Sequence, residues 1–271
     1  MKKRARHPVQ AYRNESFLNS SDARALRILS EYLEPQSRFA HYNVDDTIVF
    51  MGSARLLSEQ DARAAVDTAE QGEGDLAQAG TRLDMSRYYE AARDLARRFT
   101  EWSKDLADEE RRFVVCTGGG PGIMEAANRG ASEGRGMNVG LTISIPNKEF
   151  GNRFVTRELS FHFHYFFMRK FWFAYLAKAV LVFPGGFGTL DELFELLTLR
   201  QTHKIRKHLP IVLFGNEYWN EIVNWQALID RGVIDAGDVD LFHRTDSVDD
   251  AFEFVTRSLA DYALAERGAI L

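Results

Sequence analysis

Three apolar runs in this chain each break into a Gly/Ser turn and pass on to a helical stretch. Thr47-Ile48-Val49-Phe50 leads to Gly52-Ser53-Ala54-Arg55, and Phe113-Val114-Val115-Cys116 leads to Thr117-Gly118-Gly119-Gly120-Pro121-Gly122. The third run, Ala179-Val180-Leu181-Val182-Phe183, leads to Pro184-Gly185-Gly186-Phe187-Gly188. Strands that are apolar throughout are buried on both faces, and their alternation with helices predicts a parallel sheet wound on both sides. Further strands are expected over 138–143, 159–163, 210–214 and 241–243. Helices are expected over 86–102, 123–134, 165–177, 190–200, 218–230 and 248–266. The expected fold is therefore a Rossmann-like α/β doubly wound sheet, residues 41–271, preceded by an N-terminal helical arm, residues 1–40. In the arm, Ser20-Ser21-Asp22 is placed to cap a helix running to Tyr32. The Ala- and acid-rich stretch 58–80 reads as an inserted, solvent-facing helix. Ligands of such sheets bind at the carboxyl ends of the strands, where the strand order reverses. All three Gly/Ser turns fall on that edge.

The third turn carries the most chemistry. Gly185, Gly186 and Gly188 bring bare N–H groups to a helix start, which suits an anion such as phosphate. Glu192 then places a carboxylate in the same helix. A phosphate and a carboxylate repel unless they serve different parts of one molecule. A phosphorylated sugar resolves the conflict, with its phosphate on the turn and a ring carbon beside the acid.

Other chemistries lack their residues. Ile123 stands where G-x-G-x-x-G needs its last glycine, and the sequence has no Gly-Lys pair for a P-loop. No H-E-x-x-H or paired C-x-x-C supports zinc, so neither metal nor cofactor is expected. A net charge of -5 gives no overall basic footprint for nucleic acid. The single cysteine, Cys116, fits a reducing cytosol. Arg169, Lys170 and Lys178 interrupt the best candidate for a membrane span. A cytoplasmic protein without a membrane partner is the expectation.

The motifs Thr117-Gly118-Gly119-Gly120-Pro121-Gly122-Ile123-Met124, Arg169-Lys170 and Pro184-Gly185-Gly186-Phe187-Gly188-Thr189-Leu190-Asp191-Glu192 resemble the LOG ("lonely guy") family. The resemblance covers roughly residues 45–230, and Tyr218-Trp219 looks like the longer bacterial branch. It implies hydrolysis of the N-glycosidic bond of nucleoside 5'-monophosphates, AMP or its N6-modified cytokinin forms, to free base and ribose 5-phosphate. It also implies a homodimer with sites near the subunit interface, and Arg169 and Glu192 as the catalytic pair. Gly185, Gly186, Phe187, Gly188 and Thr189 would then hold the phosphate. Gly118, Gly119, Gly120 and Gly122 would form a second wall, with Lys170 and Ser53 as further contacts.

Plainer readings stand beside these. Thr189-Leu190-Asp191-Glu192 also spells a capping box, in which Glu192 folds back on its own helix start. Arg169 is equally able to pair with Glu158. Ser53 and Arg55 either contact phosphate or simply form a turn. Glu125 faces substrate or solvent. His162 and His164 read as packing or hydrogen-bonded residues. Phe161, Phe163, Tyr165, Phe166, Phe167, Phe171, Trp172, Phe173 and Tyr175 surround one helix, so its outer face meets a second subunit or the arm. A non-catalytic carrier of a phosphorylated ligand is the rival function. A carrier would need the glycine cradle but not the acid. A pyridoxal-phosphate decarboxylase would need a Schiff-base lysine, and Lys170 has no such context.

Overall fold

The structure, a computed structural model, describes residues 8–106, 113–144, 151–264 and 268. In chain order the helices α1 (Glu15–Leu18) and α2 (Arg24–His41) precede strand β1 (Thr47–Met51). Then come α3 (Glu59–Glu70), α4 (Leu76–Asp105), β2 (Val114–Thr117), α5 (Ile123–Glu133), β3 (Asn138–Ile143) and β4 (Ser160–Phe163). The chain continues through α6 (Phe166–Tyr175), β5 (Ala177–Val182), α7 (Phe187–Gln201), β6 (Ile211–Phe214), α8 (Asn216–Ile222) and α9 (Trp225–Asp230). It ends in β7 (His243–Thr245) and α10 (Val248–Tyr262). The C-terminal end of the last expected helix lies outside the described residues.

All strand pairings are parallel, in the order β4-β3-β2-β1-β5-β6-β7. From β1 the chain fills one side of the sheet, then crosses to β5 on the other, so the reversal lies between β1 and β5. Both strands are buried along their whole length, because each sheet face has its own core. One core joins Phe39, Met168, Trp172, Leu193 and Trp219 from α2, α6, α7 and α8. The other joins Leu95, Phe99, Ala126, Val255 and Leu259 from α4, α5 and α10. Edge strand β4 has one covered face and alternates exposed and buried residues.

Two expectations are corrected. The 58–80 stretch is not one helix. Ser58 caps α3 by accepting from the Asp61 N–H, and Asp75 caps α4 by accepting from Ala77 and Gln78. The 76–80 part then runs straight into the helix expected over 86–102, because nothing between Gly80 and Ser86 breaks it. Residues 218–230 are two helices, since the Asn224 side chain accepts from the Ala227 N–H and restarts the helix as α9.

The arm helix differs as well. Its N-cap is Ala23 without a side-chain bond, and it runs to His41 rather than Tyr32. Arg27 Nη1 holds the preceding turn by donating to the carbonyls of Leu18 and Ser20, each at 2.6 Å. Pro35 sits inside this helix and, lacking an N–H, leaves the carbonyl of Glu31 without its helical donor. The Trp172 indole N–H donates to that carbonyl at 2.9 Å. The Glu31 carboxylate meanwhile accepts from the N–H groups of His164 (2.7 Å) and Tyr165 (3.2 Å), at the start of α6. Tyr32 stacks on Trp172, and Phe39 packs against it at a tilt. The arm thus covers one side of the aromatic helix, while Phe166 and Phe167 stay 56% and 54% exposed.

Candidate active site

The carboxyl ends of β1 and β5 are joined by backbone bonds. The Phe183 N–H donates to Met51 and the Ser53 N–H to Pro184, both at 2.9 Å. Above this joint opens a cleft of about 730 Å³. Gly52 to Arg55 line it on one side, and Gly185 to Glu192 on the other. Met124, Ile143, Phe166, Arg169, Tyr218 and Ile222 complete the walls.

Helix α7 begins at Phe187, three residues before the expected start. Its N-cap, Gly186, has no side-chain cap, and the first helical bond runs from Leu190 N–H to the Gly186 carbonyl at 3.0 Å. The N–H groups of Phe187, Gly188 and Thr189 therefore have no partner within the helix, and all three residues line the cleft. The carbonyls on the other side of the elbow are taken: Pro184 by Ser53, Gly185 by the Tyr218 hydroxyl at 2.5 Å. Donors thus face the cleft and acceptors face the protein. None of Gly185, Gly186 and Gly188 has a positive φ, so the turn does not rest on left-handed backbone. Gly185 is required for space, since a Cβ there would sit 2.1 Å from Thr189 Oγ1.

The early helix start moves Glu192 into the second turn, out of reach of the cap. The capping-box reading is not realised. Glu192 Oε1 instead accepts from Arg169 Nη2 at 2.5 Å, with the two side chains only 14% and 12% exposed. Burial raises the Glu192 carboxyl above its ordinary value, and the neighbouring Arg169 charge opposes that rise. Arg169 is fixed by α6 and lies over the Phe173 ring at 5.1 Å. Among the described residues its buried Nε has no hydrogen-bond partner. Glu158 plays no part in holding it.

The other expected residues divide. Ser53 lines the cleft, with its Oγ accepting from the Arg55 N–H. Lys170 turns away into a neighbouring groove, paired with Asp191 at 2.7 Å and Glu195 at 3.0 Å. Gly118, Gly119, Gly120 and Gly122 stand behind the lining rather than in it. A Cβ on Gly118 would lie 3.4 Å from Arg169 Nη2, and one on Gly120 would strike Met124. Glu125 accepts from Tyr89 at 3.0 Å. His162 bonds Thr142 and Ser144. Burial pushes up the thiol of Cys116. Among the described residues no group of three or more His, Cys, Asp or Glu is placed to hold a metal, and no helix is long and apolar enough to cross a membrane.

Tyr218 was missed as a site residue. Its signal was available: it lies in the first turn of α8 after β6, on the same sheet edge as the three marked turns, behind Gly215 with its left-handed φ of 105°. Phe166 and Ile222 carried no signal, since only the packing of α6 and α8 brings them to the cleft.

A strand-edge cleft at the β1/β5 reversal, with a free helix N-terminus and a buried acid–guanidinium pair, defines a Rossmann-like α/β protein with a candidate ligand site. Residues 124–255 match the family model described as possible lysine decarboxylase. It is 27% identical over 158 residues to the pyrimidine/purine nucleotide 5'-monophosphate nucleosidase of Escherichia coli, covering 53% of this chain. The match spans only 33% of that relative's length. It is 26% identical over 172 residues to a probable cytokinin riboside 5'-monophosphate phosphoribohydrolase, LOG4, of Oryza sativa, covering 63% of this chain and 70% of the relative. The X-ray structure of TM1055 shares the fold, with TM-score 0.50 and 20% identity over 78% of this chain and 99% of that one.

Proposed function

We propose that this protein hydrolyses the N-glycosidic bond of nucleoside 5'-monophosphates, AMP or N6-modified AMP among them, to free base and ribose 5-phosphate. The observation that carries the reading is the Arg169–Glu192 contact beside the open end of α7. One end of the cleft offers backbone donors to a phosphate, and the other offers a carboxylate to the sugar. As the C1'–N bond breaks, its electron pair leaves with the base and positive charge grows on the sugar. Glu192 stabilises that charge and takes a proton from the attacking water, whose oxygen forms the new bond to C1'; that proton is passed on to the departing base. Arg169 holds Glu192 in place and presents its remaining N–H groups to ribose or phosphate oxygens.

Relatives named as nucleotide nucleosidase and phosphoribohydrolase support the reaction class. The decarboxylase description finds no support in the cleft: among the described residues its lining contains no lysine, and Lys170 is held by two acids outside it. A carrier would not need the buried acid pair. The same reading makes the chain a homodimer whose contact includes Phe166, Phe167 and the 93% exposed Phe187. Sedimentation velocity of the parent and of Phe167→Glu tests that part.

The activity test is a panel of nucleoside monophosphates with free base followed by chromatography, run on the parent and on Glu192→Gln. The parent is expected to release base, and the variant to lose about 10²-fold or more, as for loss of a central transition-state stabiliser. Equal turnover by both would remove Glu192 from the mechanism.

A further inference from the structure

The cleft binds a phosphate only if it supplies positive charge, and its charged lining can be counted. Among the described residues, Arg55, Arg169, Asp191 and Glu192 are the charged ones of the wall. Arg169 is neutralised by Glu192, and Asp191 by Lys170 from outside. Arg55 is left. It is exposed, makes no ion pair among the described residues, and its backbone is fixed by the bond from its N–H to Ser53 Oγ at 3.1 Å. Through the Ser53–Pro184 bond its turn is attached to the elbow that leads into α7.

We infer that Arg55 is the counter-ion of the ligand's phosphate, which it holds against the N–H groups of Phe187, Gly188 and Thr189. A helix N-terminus carries only about half an elementary charge, too little to balance a dianion. The guanidinium supplies a full charge and two parallel donors to phosphate oxygens. It also sorts ligands by chemistry, favouring a nucleotide with a terminal phosphate over the corresponding nucleoside. That the ligand is a nucleotide rests on the function proposed above; the anion subsite rests on the charge balance of the cleft.

Calorimetric titration of the parent, Arg55→Gln and Arg55→Lys with AMP, adenosine and inorganic phosphate tests this, with each protein's thermal unfolding checked first. Arg55→Gln is expected to weaken AMP roughly 10- to 100-fold, the range of a charged hydrogen bond. Inorganic phosphate should weaken in parallel, adenosine should bind both proteins equally, and Arg55→Lys should recover part of the loss. Added salt should weaken AMP binding to the parent more than to Arg55→Gln. The inference falls if Arg55→Gln binds AMP as the parent does, if AMP and adenosine weaken alike, or if the parent binds neither AMP nor phosphate. Normal base release with unchanged affinity in Arg55→Gln would sink this inference alone. Arg55-dependent AMP binding without base release by the parent would sink the proposed reaction and leave this one standing.

Discussion

The turns before α5 and α7 look alike in sequence, yet Gly185 aside the structure uses their glycines in opposite ways. Before α5 the loop is filled by protein. The Ile123 N–H donates to Ser53, and the Gly119 N–H to Thr117 Oγ1. A Cβ on Gly118, Gly119, Gly120 or Gly122 would collide with Met124, Thr142 or the Ser53 carbonyl. Before α7, a Cβ on Gly186 or Gly188 would meet nothing within 4 Å, and the donors stay open. Glycine at a strand–helix joint thus signals close approach without saying whether a neighbouring chain segment or a ligand makes it. The α5 turn braces Arg169 and Met124 from behind; the α7 turn is the part that stays open to the cleft.

Substitutions can break this contrast. Gly122→Ala should have the largest effect. Its φ of 71° is left-handed, and the new Cβ would lie 2.2 Å from the Ser53 carbonyl oxygen. A loss of about 3–5 kcal/mol or failure to fold is expected from strain joined to a backbone clash, read by thermal unfolding. A well-folded variant of normal stability would contradict the assignment of this turn to packing.

Next in size is the pH response of the other turn. In the proposed reaction Glu192 works as a carboxylate, and burial raises its pKa above the ordinary 4.5. Base release should therefore fall as pH drops through that raised value, up to about tenfold per unit below it. Glu192→Gln should lack this acid limb in kcat/KM. The stability linkage has the opposite sense: ionising a group whose folded pKa is raised costs stability as pH rises from the unfolded value through the raised one.

Tyr218→Phe should act more mildly. It frees the Gly185 carbonyl, so KM for the nucleotide should rise severalfold, in line with about 1 kcal/mol for one hydrogen bond, with kcat little changed. An equal fall in kcat would mean that Tyr218 touches the reacting centre. The smallest stability change belongs to Gly188→Ala. Alanine suits a helix better by up to about 1 kcal/mol, so unfolding should move upward or stay put while KM rises. Unchanged KM would show that no ligand approaches Gly188.

Much of the fold was legible because strands buried on both faces spell themselves as apolar runs. β3 begins and ends where the pattern placed it, and the sheet edge bearing the turns followed from strand–helix alternation. Element limits failed where the deciding group was distant or easily overlooked. The start of α7 moved to Phe187 because Gly186 caps it without a side chain. The reach of α2 past Tyr32 depends on Trp172 accepting the role that Pro35 gives up. In the site, Glu192 and Arg169 were readable as types. That they meet each other, rather than a cap or Glu158, was not.

By itself the sequence determined the kinds of element, their order and the edge where glycine clusters, because those depend on neighbours a few residues away. Tertiary structure decided which of two similar helix starts keeps its donors free, which of two adjacent cations, Arg169 or Lys170, enters the cleft, and that Arg55 has no ion pair among the described residues. Each was a competition for the same polar groups among segments far apart in the chain. Such contests are resolved only when packing fixes which competitor is within bonding distance.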